Sequence, residues 1–320
     1  MTVRPVLPET SLHTLVLATR DAVLAEGEAL RATLDDLSGN RRPGCRSEQD
    51  AVVWSAGTDP QALARQALVH LMSLQARLIC TNAYDHLLTL GRALGSDGAM
   101  PLFAHSSLSR VVCEAAVRLA WLLDPEVRSE ERIIRGAAAL LTSTDEQLRG
   151  VKSIPAERYD PEFYKVMVEN CTDEHDNVNA LIARAGLTTV MSKDGKRVSR
   201  LELASPAVSV LVKLNVTEKM SDWLPDSPTW YNRSSGIAHS HYWVLRGAMS
   251  PTESTQELVL EPNLMEVAAA GQCVISGSRL IIETIAAYYG HDPSEAGQAS
   301  RARRDSIDPH MANLVAARTP

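Results

Sequence analysis

Residues 230–243 read WYNRSSGIAHSHYW, and they gather side chains that can do chemistry into one short segment. The chain holds five Trp, seven Tyr and two Phe; two of the Trp and two of the Tyr fall here, beside Arg233, His239 and His241. An Arg and a His near a helix N-terminus suit a phosphodiester. The imidazole passes a proton near neutral pH, and the guanidinium with the free helix N–H groups stabilises a developing phosphorane. Asp226 and Pro228 mark a break, which predicts a helix opening between Asn232 and Ser235, capped by Ser234 or Ser235 and running to 248. Arg233 then lies at its mouth. His239, Tyr242, Trp243 and Arg246 fall on one stripe, three, four and seven positions apart, with Trp230 just before the helix and His241 pointing elsewhere. The same residues also make a core: Trp230, Tyr242 and Trp243 pack, His239 is a satisfied buried histidine, and Gly236 admits a neighbouring helix. Residue types alone leave both readings standing.

A second cluster lies in ENCTDEHDN, where Glu169, Asp173 and Asp176 share a helix face with His175 alongside. Helical bundles hold paired metals between such faces, but through a Glu-x-x-His pattern on two helices with carboxylates on two others. No Glu-x-x-His occurs here, and recruiting His86, Asp85 or Glu114 from other helices rests on no spacing rule. A solvated acidic face is the simpler reading; a metalloenzyme using Glu169, Asp173 and His175 is the third function considered, and no metal ligand or cofactor is assigned. Gly-rich phosphate loops, the G-x-S-x-G elbow and the H-E-x-x-H pair are all missing from the sequence, so nucleotide-loop, hydrolase and zincin chemistries have no starting point.

The elements that must position these residues are helical. Segment 11–37 places Leu12, Leu15, Val16, Val23, Leu30, Leu34 and Leu37 near helical spacing. Residues 38–59 read as a surface connection with a solvated Arg41, Arg42, Arg46 patch. A long helix follows from Pro60 to Gly95, then an apolar one over 102–124 and another from Ser129. Segment 160–186 has Asp160 as N-cap, Pro161 at the first helical position and Gly186 as terminator. One short β-hairpin is predicted near 189–203, turned by Asp194-Gly195. Helices resume over 206–222, 233–248 and 263–290. The fold class is thus all-α: an antiparallel bundle of six to eight helices in one domain over 1–295, with a loosely packed or disordered tail at 296–320.

Composition bounds the setting. With 320 residues, 45% hydrophobic and 22% charged, the chain buries a large core without disulfide or metal staples. A net charge of −7 argues against a broad DNA-binding surface. No run of eighteen apolar residues and no signal-like start are present, so a cytoplasmic location away from membranes is expected. Five scattered cysteines, Cys45, Cys80, Cys113, Cys171 and Cys273, form no C-x-x-C pair and are expected to be reduced, with Cys80, Cys113 and Cys273 in the core.

Arg233, five intervening residues and His239 resemble the Arg, four-to-six residues, His pattern of the HEPN superfamily. The helical run SSLSRVVCEAAVRLAWLLDP at 106–125 is similar to the long apolar helix of bacterial HEPN-like proteins, some of which carry a stretch like Ser235 to His239. The resemblance covers about 60–250 in organisation, within a HEPN-like core of about 60–290. It implies an all-α domain, often a homodimeric, metal-independent ribonuclease of toxin or bacterial defence systems, with His239 as general acid or base and Arg233 stabilising the phosphorane. Ser234 stands where the family commonly has Asn, Asp or His, and many relatives are inert binding modules. The alternative is therefore a non-catalytic helical module binding RNA, a small molecule or a protein partner, with Trp230, Tyr242, Trp243 and Arg246 lining its ligand site.

Overall fold

A computed structural model describes residues 9–55, 57–94, 100, 102–225, 227–241, 245, 249–251, 258–260 and 262–316. The chain is mostly helical, with a small three-stranded antiparallel sheet. Its contacts divide into two compact units where one domain over 1–295 is expected. The first holds Met1–Arg41, Leu78–Ala120 and Asn215–Pro320; the second holds Arg42–Arg77 and Trp121–Leu214.

In the first unit, α1 (Glu9–Gly39) buries Leu15, Thr19, Ala22, Val23, Glu26 and Leu30, one face at helical spacing. That face packs along a late apolar helix, α9 (Leu264–Tyr288), whose Asn263 cap accepts from the N–H groups of Met265 and Glu266. The approach is close because Gly271 lacks a side chain: a Cβ there would collide with Thr19 Cγ2. Among the described residues α9 alone is long and apolar enough to cross a membrane, but 67% of its most apolar window is buried inside the fold. Also in this unit are α4 (Ala104–Leu122) up to Ala120, the later part of α3 (Pro60–Leu94), α7 (Val216–Trp223) and α8 (Pro228–Ala238). A two-stranded antiparallel pair joins β4 (Met249–Pro251) to β5 (Leu258–Leu260).

The expected loose tail is corrected through residue 316. Residues 294–316 form α10 (Ser294–Asp305) and α11 (Asp308–Ala316), and Ser300, Ile307 and Leu314 are fully buried. The polar composition misleads because α10 is tied down by polar bonds: Glu26, wholly buried on α1, accepts from Ser300 Oγ and Arg303 Nη1, both at 2.8 Å.

In the second unit, α5 (Ser129–Lys152) packs against α2 (Arg46–Ser55), α6 (Pro161–Arg184) and the sheet. Helix α2 lies where a surface connection is expected. Asp50 and Trp54, one turn apart, are buried; Asp50 meets Arg132 at 2.7 Å, with both side chains fully enclosed. Asp160 caps α6 by accepting from the N–H groups of Glu162 and Phe163, and Gly186 (φ +82°) ends it as expected.

The hairpin is present and gains a strand. β1 (Thr188–Met191), β2 (Val198–Leu203) and β3 (Val208–Leu211) form an antiparallel meander, with Leu201 opposite Val210 and Gly195 at φ +67° in the first turn. The helix expected over 206–222 therefore shrinks to α7. Val208 and Val210 alternate buried with exposed Ser209 and Leu211, a period of two that overrides the helical reading.

Candidate functional site

Helix α8 carries the first half of the aromatic segment, but its placement differs from the expected one. Pro228 occupies its first turn and Ala238 its last position, so the helix begins earlier and ends earlier than 233–248. Arg233 is mid-helix, not at the mouth, and His239 is the C-terminal cap, where carbonyls rather than N–H groups are exposed. A C-terminal end offers no help to an anion. Six positions of an α-helix also turn Arg233 and His239 about 120° apart. Tyr242, Trp243 and Arg246 lie outside the described residues.

The segment's start is anchored to α4. Trp230 Nε1 donates to Ser109 Oγ at 2.9 Å, and the buried His105 ring stacks near the indole at 6.5 Å between centroids. Tyr231 donates its hydroxyl proton to Glu114 Oε1 at 3.1 Å, which also accepts from Arg110 Nε at 2.7 Å. The Arg110 guanidinium sits 5.4 Å over the Tyr231 ring. Burial, then the Glu114 charge, pushes the Tyr231 pKa up, so the phenol stays a proton donor. Below these, Cys113, Val117, Met220, Leu224, Ala270 and Cys273 complete an apolar cluster.

Ser227, the residue that caps α8, and Trp230 and Arg233 on α8 recur every three positions and line one wall of a cavity of about 280 Å³. The opposite wall comes from α9, where Gln272, Cys273 and Ser276 face inward, and Arg304 of α10 completes it. Arg233 also reaches Glu266 in the first turn of α9, and Glu266 accepts from Asn263 Nδ2 at 3.1 Å. Arg233 Nε is buried with no hydrogen-bond partner. Gln272 Nε2 donates to Asp308 Oδ1 at 2.5 Å, joining the cavity wall to α11.

The structure thus brings Trp230 and Arg233 together and sets His239 apart from both. His239 is exposed, with its ring 6.0 Å from that of His241, which is also exposed. Gln272, Ser276 and Arg304 are cavity residues that sequence reasoning missed. Gln272 and Ser276, four apart in the mostly apolar first half of α9, are a usable signal; Arg304 offers none in a tail expected to be loose.

In the second unit the acidic cluster is spread along α6. Glu169 faces Lys165 at 4.0 Å, His175 Nδ1 lies 3.5 Å from Asp176, and Asp173 borders a groove with Asn170, Glu174 and Asn177. Among the described residues no three His, Cys, Asp or Glu side chains converge as a metal site. In the first unit Glu114 is taken by Arg110 and Tyr231, and His86 Nδ1 bonds the Asn82 carbonyl at 2.9 Å.

Fold and cavity together define a mostly helical protein with a compact pocket lined by Trp230, Arg233 and Arg304. No family model matches the sequence, and no curated protein and no solved structure matches it.

Proposed function

We propose that this chain is a helical ligand-binding protein that holds a compact small molecule between α8, α9 and α10. The observation that carries the reading is the cavity itself: Trp230 and Arg233, two of the residues singled out by sequence, line it, whereas His239 does not. Small-molecule sites are concave, largely apolar and furnished with a few fixed polar groups. This one has an indole wall held by Ser109 and a guanidinium held by Glu266. Such fixed walls lower the ordering cost of binding. A screen of single-ring compounds by ligand-observed NMR tests it, using the full chain and a variant, Ala269→Leu, that fills the cavity, since Ala269 lines it from α9. Compounds that bind the parent and not the variant support the reading; equal binding to both overturns it.

A second reading follows the HEPN resemblance. In it the helices form an antiparallel bundle, and two copies act as a cytoplasmic, metal-independent endoribonuclease with His239 as general acid or base and Arg233 on the phosphorane. The exposed His239 and His241 pair favours it, since two neighbouring imidazoles can supply both acid and base. Metal-free RNA cleavage lost in both Arg233→Ala and His239→Ala supports this reading; cleavage surviving in both removes it.

A further inference from the structure

We infer that the groove between α3 and α6 in the second unit is a docking site for a basic amphipathic helix of a partner protein. The groove shares no residue with the α8–α9–α10 cavity.

Its shape is that of a missing helix. Residues 60–77 of α3 run antiparallel to α6: Arg65 Nε donates at 3.0 Å to the carbonyl of Ala185, just past the end of α6, whereas Leu71, further along α3, lines the groove with residues of the middle of α6. Two antiparallel helices side by side leave a furrow along their length. Leu71, Val178 and Leu181 give this one an apolar lining around a space of about 410 Å³.

The apolar surface continues beyond that space on both helices. At 100° per residue Leu63 and Leu74 fall within about 80° of Leu71 on α3, and Phe163 and Val166 extend the groove-lining arc of α6 toward its N-terminus. These four side chains are between 43% and 54% exposed. Single exposed leucines need no explanation, but two apolar stripes flanking one furrow mark an interaction surface. From Phe163 to Leu181 the furrow is about 27 Å long, the length of a five-turn helix. A helix laid along it covers both stripes with apolar residues at i, i+3, i+4 and i+7.

Charge selects which helix. Asp173 and Glu174, with Asn170 and Asn177, line the middle of the groove, and among the described residues none of these four side chains has a hydrogen bond or ion pair within the chain. Lys165 faces Glu169, and Arg184 stands past Leu181 at the C-terminal end of α6. On α3, Arg65 is engaged by the Ala185 carbonyl and the Trp54 ring, while His70 and Arg77 are turned at least about 100° from Leu71. The centre of the groove is therefore negative, and Lys or Arg beside the apolar stripe of a partner helix complements it. A second copy of this chain fits worse. In a two-fold pairing the centre of the groove meets itself, and Asp173 and Glu174 confront the same carboxylates.

Fluorescence anisotropy with the full chain tests this, using two labelled 18-residue peptides: one with Leu at i, i+3, i+4 and i+7 and Lys elsewhere, the other with Glu in place of Lys. The Lys-Leu peptide is expected to bind at least about tenfold more tightly than the Glu-Leu peptide, the equivalent of two modest surface charge interactions. Asp173→Lys with Glu174→Lys should cut that preference at least about fivefold, and Leu74→Ser with Phe163→Ser should weaken the Lys-Leu peptide by a similar factor. All four substitutions are at exposed positions, and either double variant decides alone if the other does not fold. No binding of the Lys-Leu peptide, equal binding of both peptides, or binding that the variants leave unchanged overturns the proposal. Self-association of the chain that Leu74→Ser with Phe163→Ser abolishes overturns it as well, because the occupant is then a second copy.

Discussion

Glu26 and Arg303 form an ion pair of 2.8 Å between α1 and α10, and the Glu26 carboxylate is completely shielded from solvent. Ser300 donates a second bond to the same carboxylate at 2.8 Å. The pair explains why a polar C-terminal sequence folds onto the first unit, and why a cavity residue can come from it. Arg303→Ala should leave a buried carboxylate with only the Ser300 bond and cost roughly 2–4 kcal/mol, below a fully buried pair because Arg303 keeps some solvent contact. Denaturant unfolding of the full chain measures it. A loss under about 0.5 kcal/mol would mean that the pair does not hold α10 in place.

Asp50 and Arg132 are the corresponding tie in the second unit, enclosed on both sides. Arg132 also donates to the carbonyls of Asp124 and Val127 and to Ser129 Oγ, so it organises the start of α5 as well as gripping α2. Asp50→Ala should destabilise by about 3–5 kcal/mol, since the guanidinium stays buried without its counter-charge. The double variant Asp50→Leu with Arg132→Met should lose clearly less than the two single changes added together. Additive losses in a double-mutant cycle would show that the charges are not coupled.

Gly136 on α5 lies against Met72 of α3, where a Cβ would stand 2.8 Å from Met72 Cβ. Gly136→Ala should therefore lower stability by about 1–3 kcal/mol by overpacking, despite the better helix propensity of alanine. A thermal melt that is unchanged or raised contradicts this close approach.

Burial pushes the Cys80 thiol up to about 12 from an ordinary 9.0, and pushes Cys113 up as well. A raised folded-state pKa stabilises the chain below pH 9, and that contribution is lost as pH climbs through 9 toward 12, because the unfolded chain gives up its proton first. Unfolding midpoints in urea should fall across that window, more steeply in the parent than in Cys80→Ala. All five cysteines are buried and none is in a disulfide, so an aromatic disulfide reagent at pH 8 should react slowly with the native chain and with five thiols once it is denatured. Prompt reaction of the native chain at Cys80 would contradict its enclosure.

The helical character was legible because long segments repeat apolar residues at a period near 3.6, and because Asp160, Pro161 and Gly186 punctuate α6 without ambiguity. Four elements were not. Helix α2 is short and polar, and its reason to form is a partner, Arg132, more than eighty positions away. The strand β3 hides in VSVL, four residues whose alternation is too brief to outweigh the helical sequence after it. Helices α10 and α11 are fixed by Glu26 and by Leu314 in the core, neither visible in local composition. At the site, residue types pointed to Trp230 and Arg233, but the helix boundary decided their partner. Moving the start of α8 back to Pro228 turns Arg233 toward α9 and leaves His239 as a cap. The cavity's other wall needed the fold, since Arg304 stands seventy-one positions from Arg233.

The central claim is that a small ligand sits against Trp230, and fluorine NMR of the chain labelled with 5-fluorotryptophan tests it most directly. The five Trp give separate resonances, and Trp230→Phe assigns the one that matters. On titration with a single-ring compound that binds in the screen the account predicts a saturable shift of the Trp230 resonance, abolished by Ala269→Leu, with Trp54 and Trp121 unmoved. A saturable shift confined to other tryptophans, or one that persists when the cavity is filled, would contradict it.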